Sequence, residues 1–338
     1  MSQPVVSPES VLRELADLWA ATGKDGPSDT GAGVLKACSM TLIAVADDAE
    51  AAEDAAKLGE TIAALMPEYP ARTILVRLSG PGEPALSERV YAQCWMPFGE
   101  RRQICCEHIE IVASDASLPD LRSLLPPLTA PDLPVILWRR SARLFDSPEI
   151  GGLAGIARKV IVDSASLPDA RAALARLAAM AAGQALLGDL SWTQRTRWRE
   201  IQSRIFENRE YLARLPEVDT VRVAFAGAQP PVHAWYMGAW SVDALAGVGV
   251  RARLSLEPDA ALTGRALRLE LTGQDFRMSL ERREDRLVTR VGDASQCVSL
   301  PRPTDYMLLR EELGIVRHDP VYERTLASAA RLAVSLSA

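Results

Sequence analysis

Cys105, Cys106 and His108 fall within four consecutive positions, a spacing that puts two thiols and an imidazole on one short segment. If that segment is a strand, Cys106, His108 and Glu110 share one face, while Cys105 and Glu107 share the other. Ligands at alternate strand positions suit a transition-metal ion or thiol redox chemistry. The competing reading is structural, because a free cysteine packs as a small buried hydrophobe. The five cysteines, Cys38, Cys94, Cys105, Cys106 and Cys297, are odd in number and contain no C-x-x-C pair. The three histidines, His108, His233 and His318, are far apart. The expectation is reduced thiols, no metal site and a cytoplasmic protein.

A second candidate begins at Leu133-Pro134-Val135-Ile136-Leu137-Trp138-Arg139-Arg140. Proline opens an apolar run that reads as a buried strand, and arginines end it. Ligands of open parallel sheets gather beyond the carboxyl ends of the strands, so Trp138 and Arg139 are candidate ligand-binding residues. Asp163 and Ser164 join them, because they end another apolar strand and precede a helix, where a phosphate can meet backbone N–H groups. Their structural alternative is a helix cap or turn. No Gly-x-Gly-x-x-Gly opens a strand–helix unit, and Gly151-Gly152-Leu153-Ala154-Gly155 has the wrong spacing. No Gly-x-Ser-x-Gly or metalloprotease signature occurs. The sequence therefore nominates no catalytic residue and no cofactor.

The third candidate is a surface. Trp192 and Trp198 lie six apart among Arg195, Arg197, Arg199 and Arg204, and tryptophan and arginine are enriched where binding energy concentrates. Trp192, Arg195, Trp198, Arg199 and Arg204 are thus candidate partner-binding residues. The alternative makes the tryptophans core anchors and the arginines a solvated face. Net charge is −6, which argues against a nucleic-acid partner, and no apolar run approaches the ~20 residues of a membrane span.

The elements that must position these residues fall into two domains. Residues 1–33 read as an amphipathic helix carrying Val11, Leu12, Leu15, Leu18 and Trp19, followed by a glycine-rich linker; packing on its own chain is favoured over an arm for a partner. Residues 34–187 read as an α/β domain whose mixed sheet includes a hairpin near Val90–Met96 and Gln103–Ala113. An alanine-rich helix is expected to run to about Leu187. Residues 188–338 read as an α+β domain with a helix from Trp192 through Phe206. An antiparallel meander from Arg251 to Leu300 and flanking helices at 304–313 and 320–336 complete it.

Separated stretches resemble one family, the glucose-6-phosphate dehydrogenase assembly proteins called OpcA. In the first half they are Tyr69-Pro70-Ala71-Arg72-Thr73, Cys105-Cys106-Glu107-His108-Ile109, Leu133–Trp138 and Val160-Ile161-Val162-Asp163-Ser164. In the second half they are Asp189-Leu190-Ser191-Trp192-Thr193, Trp198-Arg199-Glu200, Ala234-Trp235 with Gly238 and Trp240, Leu308–Leu313, and Asp319-Pro320-Val321-Tyr322-Glu323. The order of these motifs over roughly residues 35–330 carries the resemblance. The family tends to have a proline where Arg197 stands and a second aromatic where Arg139 stands, which leaves surface details open. The resemblance implies a non-catalytic cytosolic protein that binds glucose-6-phosphate dehydrogenase and promotes its assembly or activity. The alternative is an enzyme or sensor binding a sugar phosphate at the edge of the first sheet.

Overall fold

The computed structural model describes residues 6–22, 34–47, 52–97 and 103–336. The glycine-rich linker, residues 48–51, and Phe98-Gly99 of the expected hairpin turn lie outside the described residues. The chain divides into two compact units: residues 1–162 with 184–187, and residues 163–183 with 188–338. Residues 163–183, placed before the expected boundary at Gly188, group with the second unit.

In the first unit, α1 (Pro8–Thr22) is followed by β1 (Val34–Lys36), β2 (Met40–Asp47), α2 (Ala52–Leu65), β3 (Ala71–Leu78), β4 (Leu86–Trp95) and β5 (Gln103–Ala113). Then come α3 (Leu118–Leu128), β6 (Val135–Arg139), α4 (Pro148–Gly152) and β7 (Lys159–Val162). Strands β2, β6 and β7 are apolar on both faces and almost wholly buried, the pattern of central parallel strands covered on both sides. Adjacent strands run β1-β5-β3-β2-β6-β7-β8, where β8 is Leu186–Asp189. The antiparallel part expected from the sequence is β4, which pairs with β5 from Leu86↔Ala113 to Trp95↔Ile104. Helix α1 packs on β4 and α3 through buried Val11 and Leu15. Glu107, 2% exposed, fixes its end by accepting from Trp19 Nε1 at 2.6 Å and Arg72 Nε at 2.7 Å, and it also pairs with Lys36.

The second unit contains α5 (Ala170–Ala181), α6 (Leu190–Thr193), α7 (Thr196–Ile205), α8 (Arg209–Ala213), β9 (Val218–Phe225), α9 (Val232–Gly247) and β10 (Arg253–Pro258). Strands β11 (Leu267–Gly273), β12 (Arg277–Arg283), β13 (Arg286–Val291) and β14 (Ala294–Ser299) follow, then helices α10 (Asp305–Gly314) and α11 (Pro320–Ser335). The sheet runs β10-β9-β11-β12-β13-β14. Its inner face, with Val221, Val223, Leu269, Leu271, Met278 and Leu280, forms one core. Helix α9 approaches β10 closely at Gly238, where an added Cβ would meet Leu254 Cδ1 at 2.6 Å.

Four sequence expectations are corrected. The alanine-rich helix stops at Ala181, and Leu186–Asp189 is a strand whose Leu186 N–H donates to Arg158 O at 3.0 Å. The helix from Trp192 breaks at Gln194-Arg195 into α6 and α7. Strand β10 is parallel to β9, not part of the antiparallel meander, because α9 supplies the long crossover that parallel neighbours require. Finally, Cys94 and Cys105 stand directly opposite on β4 and β5, with Cα atoms 4.0 Å apart, and form a disulfide. Thiols paired by strand register need no C-x-x-C spacing, so the expectation of five reduced cysteines does not hold.

Candidate functional site

Motifs scattered over both halves of the sequence meet around Asp189. This residue ends β8, caps α6 and is fully buried. Its Oδ1 accepts from Ser191 N at 2.9 Å and Ser164 N at 3.1 Å, and its Oδ2 accepts from Tyr236 Oη at 2.7 Å. Burial lifts its carboxyl to about 7, with help from the charge of Asp163 and against the hydrogen bonds it accepts. The Tyr236 and Tyr322 hydroxyls lie 3.5 Å apart, and burial raises both phenols.

Trp192 packs beside these rings, 5.8 Å from Tyr236 and 5.7 Å from Tyr322 between centroids. Its indole N–H reaches Asp319 Oδ2 at 3.4 Å, while Asp319 Oδ1 caps α11 by accepting from Val321 N and Tyr322 N. Thr193 Oγ1 bonds Glu312, and Thr196 Oγ1 donates to Glu311 Oε1 at 2.7 Å. Thus α6 and α7 are gripped by α9, α10 and α11 through polar bonds, enclosed at Asp189 and Thr193 and exposed at Thr196–Glu311. With Asp189 fully enclosed, the network can hold a proton and fix helix ends; it presents no reacting group to a substrate.

The five candidate partner-binding residues separate by depth. Trp192 and Trp198 are buried, and Trp198 belongs to the core beneath the sheet. Arg199 is half-buried over Trp192, and burial lowers its guanidinium to about 10 against the pull of Asp319, Glu311, Glu312 and Glu200. Arg204 is exposed at the end of α7, as is Arg197, which pairs with Glu200 at 3.2 Å. Arg195 is 2% exposed and lines a cavity of about 430 Å³. Sequence reasoning did not anticipate this cavity, since four separate segments form it.

The candidate ligand residues at the first sheet belong to two units. In the first, Trp138 is buried under Arg140, and Arg139 Nη2 donates to Phe145 O at 2.6 Å with its guanidinium over the Phe145 ring. The loop after β6 is latched further by Arg143, which pairs with Asp47 and Asp115. In the second unit, Asp163 Oδ1 accepts from Ala165 N and Ser191 Oγ, and the Ser164 N–H is taken by Asp189. These are the bonds of a cap.

Cys105, Cys106 and His108 are likewise engaged separately. Cys105 bonds Cys94, Cys106 Sγ donates to Ala37 O at 3.3 Å, and His108 stacks on Tyr91. Burial lowers His108 to about 4 and raises Cys106 to about 11. Among the described residues, no group of three or more His, Cys, Asp or Glu side chains is arranged to hold a metal ion.

Comparison with known proteins gives two family models that match in order. The model described as the glucose-6-phosphate dehydrogenase subunit N-terminal domain matches residues 62–179, and that described as the C-terminal domain matches residues 185–326. A curated relative from Synechococcus elongatus, "Putative OxPP cycle protein OpcA", is 25% identical over 174 residues, 51% of this chain and 39% of the relative. The match thus spans about two-fifths of that protein's length. Among solved structures, a 3-ketoreductase from Actinomadura kijaniata aligns with TM-score 0.48 and 12% identity, covering 88% of this chain and 96% of that one. A glucose-6-phosphate 1-dehydrogenase from Mycobacterium avium aligns with TM-score 0.48 and 12% identity, covering 89% and 93%. Likenesses this distant say nothing of activity.

Proposed function

This chain belongs to the OpcA family, and on that premise we propose that it is a non-catalytic cytoplasmic protein that binds glucose-6-phosphate dehydrogenase. In this reading it promotes the enzyme's assembly or activity in the oxidative pentose phosphate pathway. The observation that carries the reading is the ordered match of both dehydrogenase-subunit models. The Asp189–Trp192 cluster supports it, because it is a closed scaffold rather than an open reaction centre. No helix among the described residues is long and apolar enough to cross a membrane.

The partner meets the outer side of α7, where Arg197 and Arg204 are exposed. Trp192, Trp198 and Arg199 act from beneath, fixing the helix that presents them. Arginine suits this role because its planar fork pairs with carboxylates and is weakly hydrated for a cation. Contacts stronger with the assembled or active enzyme shift its population toward that state. The test is titration of the cognate dehydrogenase with an Arg197→Ala, Arg204→Ala variant. If this surface holds a hot spot worth ~2 kcal/mol, affinity falls about thirtyfold, and activation shifts to higher concentration. Unchanged affinity with unchanged melting rejects the surface; absence of binding by the native chain rejects the function.

A further inference from the structure

The cavity beside Arg195 lies wholly within the second unit and does not depend on the dehydrogenase reading. Its wall is formed by the α6–α7 break, the β10–β11 loop, the end of β12 with its turn to β13, and the segment between β14 and α10. Five arginines line it: Arg195, Arg265, Arg282, Arg283 and Arg302. We propose that this cavity is a binding site for a small phosphate-bearing anion, with Arg195 at its enclosed end and Arg265 and Arg302 at its exposed side.

Positive charge in the cavity is unbalanced. Arginine stays protonated in proteins, and burying a charge without a partner is costly. Arg195 Nη2 donates to Gln194 Oε1 at 2.9 Å, but its Nε has no hydrogen-bond partner among the described residues. Burial and the charges of Arg282 and Arg265 push its guanidinium down to about 9, and Asp163 opposes this only through space. Neighbouring His233 is buried, its Nε2 also lacks a partner, and burial together with Arg195 and Arg265 keeps it neutral. Among the described residues neither Arg265 nor Arg302 has an ion pair.

The two acidic residues in the lining, Glu281 and Glu284, are outnumbered by its five arginines. Glu281 is engaged by Arg283 at 2.8 Å, Arg290 at 3.8 Å and Arg268 at 4.0 Å. Glu284 is exposed and meets Arg282 through its backbone carbonyl, which accepts from Nε at 2.9 Å, and Arg282 Nη2 reaches Leu300 O at 3.0 Å. Those two bonds hold Arg282 in place, and its nearby acid Asp285 is 3.8 Å away and exposed.

The number of converging donors selects the kind of anion. A single carboxylate carries one negative charge and two acceptor atoms. A phosphate monoester carries about −1.5 to −2 at neutral pH and three acceptor oxygens, which suits several converging forks. A volume near 430 Å³ falls in the range of small-molecule sites and leaves room for the group that bears the phosphate. Gln194 and Thr263 supply neutral polar atoms for that group.

The experiment is calorimetric titration of the full chain with inorganic phosphate, glucose 6-phosphate, glucose and a polyglutamate peptide, each at matched ionic strength. Both phosphates are expected to bind saturably, and glucose is not. Tighter binding of the sugar phosphate assigns the source as an organic monoester; equal binding assigns it as free phosphate. The Arg265→Ala, Arg302→Ala variant changes exposed side chains and is expected to melt like the native protein while binding about tenfold or more weakly. Phosphate heats no different from chloride, unchanged binding in the variant, or saturable binding of the acidic peptide alone would each overturn the proposal.

Discussion

Arg199 stands over the Trp192 ring, its guanidinium carbon 3.3 Å from the ring centroid. Trp192 is 2% exposed, so the cation meets the ring face largely out of water, where this attraction is strongest. The same guanidinium donates from Nη2 to Thr196 Oγ1 at 3.0 Å. One side chain therefore ties the start of α7 to the aromatic group between α6, α9 and α11.

Arg199→Ala should lower stability by about 2 kcal/mol, the value of a desolvated cation–ring contact. Arg199→Lys should recover only part of this, because an ammonium lacks the planar fork. Urea unfolding of the three proteins measures the difference. Equal midpoints for native and Arg199→Ala would show that the contact contributes nothing.

Asp189 gives the fold a pH dependence of unusual sign for a carboxylate. Its folded value is raised from 3.8 to about 7, so the folded state favours the protonated acid. The associated stability is fully present below about pH 4 and is lost as pH rises through about 7, on the order of 4 kcal/mol. Asp189→Asn keeps an acceptor for the Ser191 and Ser164 N–H groups and removes the titration. Denaturation curves at several pH values should therefore be flatter between pH 4 and 7 for Asp189→Asn than for the native chain. Parallel curves would refute this role.

Glu107 should be costly to remove. Truncation to alanine leaves Lys36, Trp19 and the largely buried Arg72 without their shared carboxylate. Breaking a buried pair from one side costs about 3 kcal/mol or more. Because Trp19 lies on α1, hydrogen exchange of residues 8–22 should accelerate beyond the change elsewhere. A uniform change along the chain would mean that Glu107 does not anchor this helix.

The legible parts of the fold were those where pattern and burial coincide. Strands β2, β6 and β7 are apolar runs, and β11 and β12 alternate, so their kind follows from periodicity. Strand β8 was hidden because Leu186-Leu187 continues the apolar character of the alanine-rich helix. The break at Gln194-Arg195 contains neither glycine nor proline. The parallel pairing of β10 had a visible signal in the long α9 connection. Arginine depth was not legible: the same side-chain type is enclosed at Arg195, half-buried at Arg199 and exposed at Arg204. An arginine's apolar stem and charged head permit all three.

The path of the chain between its units sets an order on biosynthesis. Helix α5 is translated before residues 184–187, which return to the first unit where β8 follows β7 in the sheet. Yet α5 packs on α11, which emerges from the ribosome much later. A nascent chain that has completed every strand of the first sheet still carries the apolar stripe Ala173, Leu174 and Leu177 without α9 and α11, the helices on which α5 packs. That interval of translation, from Asp189 until α11 is made, is when a chaperone has access to this apolar stripe.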